Sequence, residues 1–168
     1  MTPTVGATEV APHAGALVEA AGLRAGHRVL DVDCTDGTAT LEAARRVGPR
    51  GLVLGIDVSA SLVDLARRRA AGAGLANVGF VHADALTHRF GPLRFDAVVS
   101  RSGLARFVES DGAFAVLARA LRPGGRLAFV SPADLEPARV LAQRAGFVEP
   151  VEQVVDGTTW LVTERTPG

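Results

Sequence analysis

Five short, nearly all-apolar runs recur along the chain, Arg28 to Val32, Gly51 to Val58, Val78 to His82, Phe95 to Ser100 and Gly125 to Val130, and segments of helical periodicity separate most of them. Strands that read apolar on both faces have to be covered on both faces, and intervening helices of several turns return the chain for parallel pairing. The pattern predicts an α/β doubly wound, Rossmann-like, mostly parallel sheet. The predicted helices run from Pro12 to Ala21, from Thr38 to Val47 with a stop at Gly48-Pro49, from a Ser59 or Ser61 cap through LVDLARRRAAGAG, and from Asp111 to Leu121. The tail differs, with a helix over Asp134 to Ala145 and then two β-rich runs, Phe147 to Val155 and Thr158 to Thr163, split by Asp156-Gly157. Asp-Gly between such runs is a strong hairpin signal, so the sheet is expected to end in an antiparallel pair and to hold seven strands. A chain of 168 residues suits one domain, here residues 11–168 after about ten flexible N-terminal ones.

Charge narrows the partners. The 18 basic and 18 acidic side chains cancel, and no basic run or basic-aromatic patch stands out, which sets aside nucleic acid and anionic membrane surfaces. No apolar stretch is long enough to span a bilayer and the N-terminus lacks a signal layout, so a cytoplasmic location is expected. All 18 basic residues are Arg, which removes Schiff-base and lysine-base chemistry, and the single Cys34 excludes an internal disulfide and makes a cysteine-based metal site improbable, so none is assigned.

In an open parallel sheet the ligand crevice lies beyond the carboxyl ends of the strands. The polar residues there are Asp31, Asp33, Thr35 and Asp36, just before Gly37, after the first run, Asp57 at the end of the second, Asp84 after the third, and Ser100-Arg101-Ser102 after the fourth. An acid at the end of the second strand, 20 residues past Gly37, has the position for ribose hydroxyls. An Asp at one strand end is often a helix cap or turn residue, but three at successive ends point to a nucleoside-type ligand. The backbone N–H groups at the helix start after Gly37 suit a carboxylate. His13, His82, His88 and Arg101 are candidates to face substrate, and no catalytic residue is assigned. Cys34, Phe147 and Trp160 read as core, and Arg67, Arg68 and Arg69 as a solvated helix face.

The blocks VLDVDCTDGT, GIDVS, HADAL, FDAVVS and ALRPGGRLAFV, followed by AGF and a hairpin, resemble the class I S-adenosylmethionine-dependent methyltransferases over roughly Leu23 to Thr163. That resemblance implies methyl transfer from S-adenosylmethionine to a small-molecule acceptor, leaving S-adenosylhomocysteine. It also assigns the cofactor site: Asp31, Asp33, Thr35 and Gly37 on the first loop, Asp57 with Val58 at the ribose, Asp84 with Ala85 at the adenine, and Ser100 after the fourth strand. The family loop has the form D-x-G-x-G-x-G, and here Asp33 and Thr35 stand at its first two glycines. Glycine serves there because the backbone bends freely and approaches the ligand; a β-branched Thr at positive φ is strained. The departure opens an alternative, a methyltransferase-like protein that has lost methyl transfer and serves as a binding subunit or catalyses another reaction on a small molecule. The segments that would cover substrate are short, so a second subunit or another protein is expected to complete the lid. The D-x-D-x-T spelling of Asp31, Asp33 and Thr35 also resembles the nucleophile loop of haloacid dehalogenase-like phosphohydrolases.

Overall fold

The computed structural model describes residues 13–101, 105–110, 112–130, 134 and 136–167. Expectations for residues 1–10, Pro12 and Asp111 lie outside that set. In chain order the elements are α1 (His13–Ala20), β1 (Arg28–Val32), α2 (Thr38–Val47), β2 (Leu52–Asp57), α3 (Ala60–Gly72), β3 (Val78–His82), β4 (Phe95–Ser100), α4 (Ala105–Val108), α5 (Ala113–Ala120), β5 (Leu121–Val130), α6 (Glu136–Arg144), β6 (Val151–Val155) and β7 (Thr158–Glu164). The strands form one seven-stranded sheet in the order β3-β2-β1-β4-β5-β7-β6. β1 to β5 pair in parallel, and β7 is antiparallel to both β5 and β6.

Pleating sends alternate side chains to opposite faces, which is why the strands read as unbroken apolar runs. Leu30, Val98, Leu127 and Leu161 pack with α5 and α6 on one face, while Val29, Val99, Ala128 and Trp160 pack with α1 and α2 on the other. Trp160 and Phe147 are both buried, as expected of core residues. Cys34 joins Val63, Ala66 and Phe80 in a third cluster beneath α3.

Local signals account for most boundaries. The Ser59 side chain caps α3 by accepting the Leu62 N–H at 3.4 Å, and Gly48 ends α2 with its N–H on the Ala44 carbonyl. Asp156 and Gly157 take φ of 49° and 72°, the pair of positive values a two-residue hairpin turn requires. Most boundaries shift by one or two residues from the sequence expectation, and two shift further. β6 begins at Val151, because Phe147 makes only an isolated bridge to Arg165, and β5 begins at Leu121, because its ladder with β4 starts before a bulge between Phe95 and Ala97. The four-residue helix α4 has too few residues for a periodic signal.

Candidate functional site

The strand order reverses between β2-β1 and β4-β5, so β1 and β4 flank the switch point and the crevice opens at their carboxyl ends. The loop from β1 to α2 is its floor. Asp33, Thr35 and Gly37 have φ of 54°, 52° and 81°, three left-handed residues alternating with ordinary ones. Glycine is obligatory at the last of these: a Cβ on Gly37 would lie 2.8 Å from the Ala66 Cβ and 3.2 Å from the Phe80 ring. Gly37→Ala should therefore cost about 2–4 kcal/mol through overpacking and positive φ. Urea denaturation measures this, and a native midpoint in the variant would contradict it.

Asp57, at the end of β2, is buried and props this loop. Its Oδ2 accepts the Thr35 N–H and its Oδ1 the Ser59 N–H, each at 2.9 Å. A carboxylate has about four acceptor positions, so these bonds orient the group and leave acceptor capacity. The next residue, Val58, is 51% exposed, an apolar side chain held in solvent beside the acid, and its carbonyl lies 3.0 Å from His82 Nε2. Asp84 Oδ1 accepts the Leu86 N–H at 2.9 Å, while Ala85 is buried in the main core. Ser100 is buried at the end of β4.

Asp31 is the most unusual group. It is 1% exposed; Oδ2 accepts the Thr40 hydroxyl at 2.6 Å, and Oδ1 has no partner among the described residues. Burial raises its pKa to about 7 against the opposing Thr40 bond and the Arg101 charge. That burial disposes of the phosphohydrolase reading, in which Asp31 would have to be an exposed, ionised nucleophile. Burial likewise pushes the Cys34 thiol up, so Cys34 is inert packing.

Three arginines complete the crevice. Arg106 of α4 pairs with Asp33 at 2.8 Å and stands 3.8 Å from Asp84, so one guanidinium bridges the first and third loops. Arg101 Nη2 donates to Thr35 Oγ1 at 3.4 Å. Arg69, exposed on α3 with the rest of its run, also reaches Asp36 and ties that helix to the loop. Burial acts to raise Asp36, but bonds from Thr38 and Arg69 hold it below its ordinary value. Among the sequence candidates the structure brings Asp31, Asp33, Thr35, Gly37, Asp57 and Asp84 together around one crevice, with Ser100 at the end of the neighbouring strand. His88 instead stacks edge-on against Phe90, its ring 4.8 Å away. Arg106 and Arg69 went unrecognised because each acts on residues 73 and 33 positions away. Asp33, an acid where the loop calls for glycine, was the one available hint of a cationic partner.

An open sheet of this order, with helices on both faces and an antiparallel ending, defines a Rossmann-like α/β protein. The chain belongs to the methyltransferase domain family, whose model matches residues 23–159. It is 38% identical over 107 residues to the aklanonic acid methyltransferase DauC of a Streptomyces species, covering 64% of this chain and 49% of that protein. It is also 34% identical over 129 residues to the ubiquinone/menaquinone biosynthesis C-methyltransferase UbiE of Saccharophagus degradans, covering 76% of this chain and 51% of that one. The chain thus spans about half the length of the curated relatives it matches. A solved methyltransferase from Aquifex aeolicus shares the fold with a TM-score of 0.74 at 21% identity, covering 90% of this chain and 88% of that one. The phosphoethanolamine N-methyltransferase 2 of Haemonchus contortus, solved with S-adenosyl-L-methionine, has a TM-score of 0.78 at 19% identity, covering 93% of this chain and 52% of that one.

Proposed function

We propose that this chain binds S-adenosylmethionine across the carboxyl ends of β1, β2 and β3 and transfers its methyl group to a small-molecule acceptor. The first loop carries the reading. Asp33, Thr35 and Gly37 are left-handed at the three positions where the family spells glycine. A non-glycine residue in that region stores about 1–3 kcal/mol, so this backbone path persists only because its surroundings impose it. The Asp57 carboxylate on the Thr35 N–H and the Arg101 contact to its hydroxyl are those surroundings.

The donor set fits the cofactor. Asp31 carries an unpartnered carboxylate oxygen, suited to attracting a cationic ammonium. In this reading Asp57 accepts the ribose hydroxyls, Val58 offers an apolar surface to adenine, and Asp84 with the backbone at Ala85 meets the adenine edge. The N–H groups at the start of α2 hold the carboxylate, Asp33 and Thr35 contribute their backbone turns, and Ser100 borders the acceptor side. The bound cofactor supplies a sulfonium-activated methyl group, which leaves this chain the work of alignment and exclusion of water. A dedicated base is then unnecessary, in keeping with the absence of an assigned one.

The small-molecule acceptor is supported by what the relatives' names state, aklanonic acid and ubiquinone/menaquinone. Among the described residues no helix is long and apolar enough to cross a membrane. The reading places the chain in the cytoplasm as a single domain, with a second copy or another protein covering the crevice. Calorimetric titration with S-adenosylhomocysteine tests it: one saturable site is expected, weakened about tenfold in Asp57→Asn by loss of a charged acceptor. No heat at about millimolar ligand would overturn the reading in favour of a methyltransferase-like protein without the cofactor.

A further inference from the structure

A second pocket lies away from the crevice, between the β3-β4 connection and α5. It has a volume of about 510 Å³, within the range of small-molecule sites, and its lining includes His88, Arg89, Arg94 and Arg119 with Phe90 and Val116. Among the described residues no acidic side chain lines it, and none of the three arginines has a carboxylate partner. The connection's one acid, Asp84, is engaged at the other end by Leu86 N–H and Arg106. In a chain of zero net charge, three guanidiniums are thus concentrated on one cavity with no counter-charge among the described residues that line it.

The hollow between α1 and the amino ends of the strands is lined by Arg24, Arg46, Arg122 and Arg126, but Arg122 pairs with Asp96 and Arg126 with Glu164. There the charges serve the fold. In the β3-β4 pocket, Arg94 Nη1 donates to the Gly91 and Leu93 carbonyls at 3.0 and 3.1 Å, which fixes the side chain and leaves its other nitrogens available. The platform is also fixed. Phe90 sits edge-on to both the buried Phe95 ring at 5.9 Å and the His88 ring, so the connection is anchored to the core. Arg119 occupies the last turn of α5, where a cation complements the helix C-terminus, yet it extends into the pocket lining.

We propose that this pocket is a binding site for a small organic oxyanion, a phosphate or carboxylate gripped by Arg89, Arg94 and Arg119, with an apolar or ring-bearing body resting on Phe90 and Val116. Planar guanidiniums match both oxyanions through paired N–H bonds, and the cavity is larger than an inorganic ion needs. The site is independent of the cofactor crevice and does not rest on methyl transfer.

The test is calorimetric titration of the full chain with phenyl phosphate, benzoate and benzyl alcohol, alone and with Arg94→Gln plus Arg119→Gln. Saturable binding of one or both anions, absent for the alcohol, is expected. The double substitution should weaken it about tenfold or more, since each lost bond to a charged group is worth close to that factor. Raising the salt should weaken it further. A phenyl phosphate preference identifies a phosphate site and a benzoate preference a carboxylate site. Both arginines are exposed, so the variant should melt with the native chain, and the thermal melt verifies that it is folded. Binding untouched by the double substitution, or no anion binding at about 10 mM, overturns the proposal.

Discussion

At pH 8 the Asp31→Asn variant should melt several degrees above the native chain, whereas at pH 5 the gap should shrink to less than half of that. The sign follows from proton linkage. Asp31 has a folded pKa of about 7 against an ordinary 3.8, because burial penalises its charge more than Thr40 and Arg101 relieve it. Between those values the folded chain keeps a proton that the unfolded chain has released. Stability from this group is therefore fully present below about pH 4, is lost as pH rises through 7, and is flat above. The full loss is on the order of 4 kcal/mol, and about 2–4 °C per kcal/mol for a chain of this size gives the expected shift. Asparagine keeps an acceptor for the Thr40 hydroxyl and carries no charge to desolvate. Binding should move the other way. Only ionised Asp31 attracts an ammonium, so affinity for S-adenosylhomocysteine should rise in the native chain between pH 6 and 8, and stay flat and about tenfold weaker in Asp31→Asn. Thermal melts and titrations at three pH values measure both effects; parallel pH profiles for the two chains would show that Asp31 is not the group responsible.

The second large effect concerns the loop itself. Restoring glycine at both altered positions, Asp33→Gly with Thr35→Gly, should tighten S-adenosylhomocysteine binding by about tenfold or more. Both residues already sit at positive φ in the free chain, so relief of their strain stabilises the fold, and the tighter binding comes from clearing two side chains from the loop's approach to the ligand. Glycine at 33 also releases Arg106, which in the free chain spans from Asp33 towards Asp84 over the proposed adenosine path. Titration of the double variant beside Thr35→Gly alone separates the two contributions: the single change reads the Thr35 side chain with its Arg101 contact, and the remainder reads the Arg106 bridge. Unchanged affinity from an already tight native chain would mean that the loop had adapted to its side chains.

Much of the site was legible because strand-end residues inherit their position from the sheet. Once Gly51 to Val58 reads as a strand with a helix after it, Asp57 has nowhere to be but the crevice edge, and the same holds for Asp31 and Asp84. The strain at Thr35 was legible too, since a β-branched residue where the loop demands left-handed backbone conflicts with its own sterics. The Arg69–Asp36 pair was not legible, because a run of arginines on α3 has the composition of a solvated face, which all three keep, and only the approach of the β1-α2 loop brings Asp36 to Arg69. The basic pocket was illegible for the same reason: Arg89 and Arg94 lie on one segment, Arg119 on another, and neither segment is basic enough alone to register.

Short-range pattern by itself determined the class of the sheet, the antiparallel ending at Asp156-Gly157 and the identity of the strand-end acids, because periodicity and turn chemistry act between near neighbours. Only the tertiary structure decided that Asp31 is buried with its pKa raised, that Arg106 bridges two loops, and that three arginines with no carboxylate partner among the described residues converge on one cavity. Desolvation and charge pairing are set by whichever groups approach through space, and those groups are often dozens of residues apart along the chain.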